Sequence, residues 1–169
     1  DAVAKGNFDT ELPVIRMDTD IKHLRDSFVV MQNELSHYIA DLRDTTEQKA
    51  ILERDIYIAA KIQKGMMPHD YPSREDLDIH GVLIPAKVVG GDLLDFFIHD
   101  EKLIFCLGDV SGKGVPAALF MSATVHLFRS VGHQTEEPSQ IVSSINDGLA
   151  DGNDENMFCT LFVGVLDLK

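Results

Sequence analysis

Gly108-Asp109-Val110-Ser111-Gly112-Lys113-Gly114-Val115-Pro116-Ala117-Ala118 is a strand end, a glycine-rich turn and a helix start within eleven residues. Before it, Lys102 to Val110 has the apolar, β-prone composition of a strand. After it, the chain turns apolar with Pro116 placed for a first helical turn. Toward the N-terminus, His99-Asp100-Glu101 is a hairpin-length turn preceded by a strand-like run, Leu93 to Ile98, and a further strand is predicted at Ile79 to Ile84. Toward the C-terminus the pattern predicts a helix to about Val131, a second from Pro138 to about Leu149, and a strand from Met157 to Leu166. Sheet, two helices and sheet again indicate an α+β domain, one that is not finished at Lys169. The chain opens on Asp1 and stops just after a strand, so a piece of a longer protein is expected.

Upstream, no proline lies between Asp20 and Met67, and the only glycine there is Gly65. Ile21, Leu24, Phe28, Met31, Leu35, Tyr38 and Leu42 recur at alternating steps of three and four, which is a coiled-coil seam. Thr45 and Lys49 form a polar layer in that seam, which resumes at Leu52, Ile56, Ala59, Gln63 and Met66. One helix of about fifty residues would be roughly 70 Å long. An apolar seam of that length calls for a partner helix, most simply in a homodimer, although the flanking charges leave orientation and helix number open. Ile51, Ile58 and Ile62 widen the stripe, so this last stretch is expected to pack on the domain that follows. The helix should end at Met67-Pro68, because proline disfavours helix in the residue before it.

Lys and Arg total 15 against 28 Asp and Glu, a net charge of −13, and the pI is about 4.7. No basic face is visible, which argues against a nucleic-acid partner, and a phosphate ligand would need a local cation. Apolar residues make up 44% and charged residues 25%, close to the globular average, which argues against wholesale disorder. The apolar runs are too short to span a bilayer. Cys106 and Cys159 read as buried free thiols in a reducing compartment. His23 and His37 share an outward heptad position and read as solvated, and without His-x-x-x-His or Cys-x-x-Cys a zinc site is disfavoured.

Asp92 follows Gly90-Gly91 at the start of one strand, and Asp109 ends the next. If those strands pair as a hairpin, both carboxylates reach the same sheet edge, where they repel unless a hard cation sits between them. All-oxygen ligands suit magnesium or manganese. Spacing alone leaves open a plain strand-turn-helix connection in which the aspartate caps the helix. Asp95, on the opposite face of the pleat, is a weaker candidate with a turn or surface role as its alternative. A phosphate-binding P-loop fails, because three residues separate Gly108 from Gly112 where four are needed, and Gly114 follows Lys113.

Ala59-x-x-Ile62-Gln63-x-x-Met66-Met67-Pro68, Pro85-Ala86-x-x-Val89-Gly90-Gly91-Asp92-x-x-Asp95-Phe96-Phe97 and Gly108 to Ala118 together resemble the SpoIIE-type bacterial serine phosphatases. These belong to the metal-dependent PPM, or protein phosphatase 2C-like, superfamily. Asn146 and Met157-Phe158-Cys159-Thr160-Leu161 extend the likeness, with Cys159 where valine is common. Ahead of it, Ala4-x-Gly6-Asn7-Phe8-Asp9, Leu12-Pro13 and Asp20-Ile21-x-x-Leu24 resemble the connector and second helix of a HAMP signalling domain, with Thr19-Asp20 departing from the usual Asp-Glu. The implied domains are a connector over 1–19, a helix continuing as coiled-coil linker over 20–67, and the N-terminal part of a phosphatase domain over 68–169.

The resemblance implies an α-β-β-α sandwich, here incomplete, with two Mn²⁺ or Mg²⁺ ions at the sheet edge and in-line attack of activated water on phosphoserine. By motif position, Asp92 and Asp109 would be ligands and catalytic residues, and Val110 would bind metal through its carbonyl. Lys113 could touch the substrate phosphate or be a solvated turn lysine. Further ligands would lie beyond Lys169, so this chain alone is expected to be weak or inactive. Similar enzymes act on STAS-type anti-sigma-factor antagonists. A HAMP-like start implies the cytoplasmic portion of an inner-membrane-anchored bacterial protein, itself soluble and joined to the membrane only through upstream segments. The alternative is a non-catalytic dimeric scaffold that uses the fold to bind a partner.

A polar layer in a seam favours switching, because neither packing is fully satisfied. A change of stagger at Thr45 and Lys49 would then reposition Ile58, Ile62 and Met66. Replacing Thr45 and Lys49 together with leucine is expected to lock one activity state. An unchanged response to the upstream signal in the double variant would contradict this.

Overall fold

The computed structural model describes Phe8, Val14, residues 19–85 and residues 87–169. The chain divides into two compact units, Asp1–Glu53 and Arg54–Lys169. The HAMP-like connector falls almost wholly outside the described residues. Among the described residues no helix is long and apolar enough to cross a membrane.

Helix α1, Thr19–Met66, has 48 residues that match the uninterrupted helical run in the sequence; it supplies the first unit up to Glu53, and from Arg54 onward it belongs to the second. Its seam side chains lie largely open, with Leu24 71% and Tyr38 62% exposed. Gln32, by contrast, is buried, and its amide donates to the Phe8 carbonyl at 3.2 Å. At the polar layer the Thr45 and Thr46 hydroxyls donate back to the carbonyls of Asp41 and Leu42 at 2.8 and 2.7 Å. Such back-bonding loosens a helix locally.

In the second unit, β1 (Leu93–His99), β2 (Lys102–Val110) and β3 (Cys159–Asp167) form one antiparallel sheet in that order. His99 pairs with Lys102, so Asp100 and Glu101 alone make the turn, with φ of 46° and 59°. Two left-handed residues are what a tight hairpin with right-handed strand twist needs. Helices α2 (Val115–Gly132) and α3 (Pro138–Ala150) cover one face of the sheet. Ala117, Met121, Thr124, Val125 and Phe128 are the buried stripe of α2, at helical spacing, and Ile141 and Ile145 are that of α3. They close on Leu93, Ile104, Cys106 and Val110. The architecture is α+β, one sheet with one helix layer, and a second sheet is not among the described residues.

Three expectations change. Ile79 to Ile84 is not a strand: it pairs with nothing, and Val82 and Ile84 are 70% and 82% exposed. An apolar alternating run becomes a strand only when a neighbour accepts its ladder bonds. The segment is instead held through Tyr71, whose hydroxyl donates to the Gly81 carbonyl at 2.7 Å while its ring lies against Phe96. Second, Ile58 and Ile62 do not pack on the sheet and helices of their own unit, since both are exposed, and Ile51 is exposed as well. Third, Cys106 is buried but Cys159 only partly so, with its thiol pushed up to about 11 by burial and then by the nearby Asp109 charge.

Asp95 is fully buried on the helix-covered face. Its carboxylate receives Nε and Nη2 of Arg129 at 2.6 and 2.8 Å and the Phe96 amide at 2.9 Å. This fork ties β1 to the last turn of α2. Removing one partner of such a pair strands the other charge. Arg129→Met is expected to destabilise the fold by roughly 3 kcal/mol, read as a lower urea midpoint at unchanged slope. An unchanged midpoint would contradict the anchoring role.

Candidate functional site

Leu93 pairs with Gly108, so one step further along the hairpin Asp92 stands opposite Asp109. The ladder does extend past the strand end, because the Val110 amide donates to the Gly91 carbonyl at 3.3 Å. Paired residues share a face, so both carboxylates lie with Leu94 and Leu107, opposite the face that α2 and α3 cover. Both aspartates are exposed. Asp92 is held above the usual carboxylate range, first by partial desolvation and then by the charge and hydrogen bonding of Asp109. Two acceptor-only groups so placed favour a cation between them.

Backbone geometry sharpens the edge. A Cβ on Gly91 would come within 2.9 Å of the Val110 carbonyl oxygen, so only glycine leaves that oxygen uncovered. Gly112 and Gly114, at φ of 86° and 78°, turn the chain away from Asp109 into α2. The Ser111 amide donates to the Phe158 carbonyl at 2.8 Å and the Phe158 amide to the Ser111 hydroxyl at 3.0 Å, clasping the turn to the start of β3. Thr160 donates its hydroxyl to the Asp109 carbonyl at 3.2 Å. A cavity of about 620 Å³, lined by Leu94, Leu107, Thr160 and Phe162 among others, opens beside the carboxylates.

A third element reaches this edge. The side-chain amide of Gln63, near the end of α1, donates to the Gly90 carbonyl at 2.6 Å and accepts from the Gly90 amide at 3.1 Å. A two-pronged bond of this kind fixes both position and orientation of the backbone just before Gly91-Asp92. Ala60, Gln63 and Met67 line a cavity of about 420 Å³ shared with Val88, Asp92 and Met121.

Of the residues singled out from the sequence, Asp92, Asp109 and Val110 come together. Lys113 sits on the exposed turn and makes no ion pair with a described residue. Asp95 is drawn away by Arg129 to the opposite face. Met66 is half-buried, while Ile58 and Ile62 point to solvent at 44% and 63% exposure. Gln63 as a contact to the site was missed. Its one signal was a polar residue occupying a seam position between Ala59 and Met66. Hard oxygen donors at this edge suit Mg²⁺ or Mn²⁺ in kind. In number they fall short: no group of three acidic, histidine or cysteine side chains able to hold a metal occurs among the described residues.

Residues 99–169 match the family model described as Stage II sporulation protein E (SpoIIE). Phosphoserine phosphatase RsbU of Bacillus subtilis is 34% identical over 111 residues, covering 66% of this chain and 33% of that protein. Protein IcfG of Synechocystis sp. is 28% identical over 198 residues, covering 99% of this chain and 31% of its own length. The chain thus spans about a third of the curated relatives it matches. Among solved structures, the SiaA-PP2C domain of Pseudomonas aeruginosa superimposes with a TM-score of 0.53 at 16% identity, covering 68% of this chain and 49% of that one, a likeness of fold. The glycine-flanked aspartates, the sheet edge that joins them and these comparisons point the same way: over residues 99–169 the chain is similar to the SpoIIE-type phosphatases, and its fold is similar to that of a PP2C domain.

Proposed function

We propose that the protein to which this chain belongs is a metal-dependent protein serine phosphatase of bacterial signal transduction, acting on a phosphoserine regulatory protein. The observation that carries the reading is the pairing of Asp92 with Asp109 across the β1–β2 edge, within the two motifs that resemble the family's metal-binding segments. Its relative RsbU bears the name of a phosphoserine phosphatase, which supports the reaction class. A STAS-type anti-sigma-factor antagonist is the substrate class the resemblance favours.

In this reading Asp92 and Asp109 hold divalent ions through their carboxylates and Val110 through its carbonyl. When bound, such ions activate water and offset the charge on the phosphoryl oxygens. Gly91 keeps the Val110 oxygen accessible, and Gln63 holds the Gly90 backbone so that Asp92 meets Asp109. Each hard cation takes about six oxygens, and two carboxylates with one carbonyl leave two ions under-coordinated. The chain on its own is therefore weak or inactive, and the whole protein supplies the remaining ligands.

The exposed seam of α1 supports a homodimer through that helix, and the polar layer at Thr45 and Lys49 supports its use as a signal-carrying linker. The HAMP-like motif supports a membrane anchor upstream, with this part in the cytoplasm. Because the face of α1 next to the site is that of Ala60, Gln63 and Met67, a signal arriving along the helix acts on Asp92 through Gln63 and Gly90.

Manganese-dependent release of phosphate from a phosphoserine protein is expected for a version extended to the end of the domain. It should be weak or absent for this chain and for the extended version with Asp109→Asn. An extended, folded protein with no manganese-dependent activity would favour the scaffold reading. Gln63→Ala removes both bonds to Gly90 and is expected to weaken manganese affinity of the extended protein about tenfold, as losses of outer supporting contacts do. Its urea midpoint should stay near that of the parent, and unchanged affinity would reduce the Gln63 contact to packing.

A further inference from the structure

A groove of about 480 Å³ runs along the first turns of α2, directly after the turn that leads away from Asp109. Phe120 and Met157 line its inner part, Leu119 stands in its wall at 67% exposure, and Asp151, Asp154 and Glu155 rim it. These three carboxylates make no ion pair with a described residue. The sequence around them is one-sided: residues 130–168 hold seven acids, Glu136, Glu137, Asp147, Asp151, Asp154, Glu155 and Asp167, and no lysine or arginine.

The rim is held in place. The Asn153 side chain donates to the Met157 carbonyl at 2.7 Å and accepts from its amide at 2.9 Å. One residue further, Phe158 is clasped to Ser111, two positions past Asp109. The acidic loop is thereby fastened to the same turn that carries the metal-binding edge, so whatever lies in the groove is registered against Asp109.

We propose that this groove is a docking site for a segment of the phosphoprotein substrate that presents an apolar side chain flanked by lysine or arginine. The inference rests on the phosphatase reading above. The apolar wall and floor take the aliphatic group, and the unneutralised rim takes the cations, so charge complementarity selects the partner.

The test uses the whole protein with Mn²⁺ and three probes: a phosphoserine peptide with Lys-Leu-Lys flanks, the same peptide with Glu-Ser-Glu flanks, and p-nitrophenyl phosphate. The parent should favour the basic-apolar peptide about tenfold in kcat/KM, through KM. Leu119→Lys and the pair Asp154→Lys/Glu155→Lys should each abolish that preference while leaving p-nitrophenyl phosphate hydrolysis unchanged. Retained preference in both variants, or none in a parent that hydrolyses p-nitrophenyl phosphate, would overturn the docking site alone. No hydrolysis of any probe by the parent would overturn the phosphatase reading with it. If Leu119→Lys instead halves the mass by light scattering and keeps the peptide preference, the groove is a contact between copies and the proposal is wrong.

Discussion

A two-residue turn at Asp100 and Glu101 sets the register of β1 against β2, and that register decides where each carboxylate of the edge points. Side chains alternate along a strand, so a slip of one residue would exchange the faces. Asp92 would then turn toward α2, and the buried Asp95 would emerge on the open face, away from Arg129. Both errors are costly, one for burying an unpaired carboxylate and the other for breaking a forked ion pair. The fork on the helix face and the carboxylate pair on the open face are thus two consequences of one alignment, and the first stabilises the second.

The same separation of faces explains how a strongly acidic chain leaves two carboxylates open at one sheet edge. Asp95 is neutralised internally, while Asp92 and Asp109 meet no cationic side chain among the described residues. Like charges at a strand end are ordinarily a defect, and desolvation and mutual repulsion hold Asp92 above its usual range. A hard cation turns that frustration into affinity. The glycines at 91 and 108 are set by space, since a Cβ at 91 would cover the Val110 oxygen and one at 108 would press on the Thr160 carbonyl at 2.7 Å.

Much of this was legible in the sequence because it is local. Helix α1 follows from a run without proline, α2 begins where Pro116 and the glycine turn place it, and hairpin pairing brings Asp92 and Asp109 to one sheet edge, although a three-residue turn at His99 to Glu101 would have set Asp92 opposite Gly108 instead of Asp109. What escaped is joined over distance or depends on a neighbour. Asp95 and Arg129 lie on different elements, and nothing in either local pattern marks a fork between them. Gln63 looks like a blemish in a heptad seam, but the helix's last turns belong to the same unit as the sheet, where an amide that bonds a glycine backbone on both sides is more useful than a methyl group. Ile58 and Ile62 look like core by composition, yet they fall beside the contacting face rather than on it. Ile79 to Ile84 has a strand's pattern without a strand's partner.

In the proposed function, Asp92 and Asp109 together form a divalent cation site. It is tested most directly by titrating the whole protein with Mn²⁺ and following free metal by electron paramagnetic resonance, for the parent and for Asp92→Asn and Asp109→Asn. Each substitution is expected to remove tight Mn²⁺ binding while the far-ultraviolet circular dichroism of the fold is retained. Undiminished Mn²⁺ binding in both folded variants would contradict it.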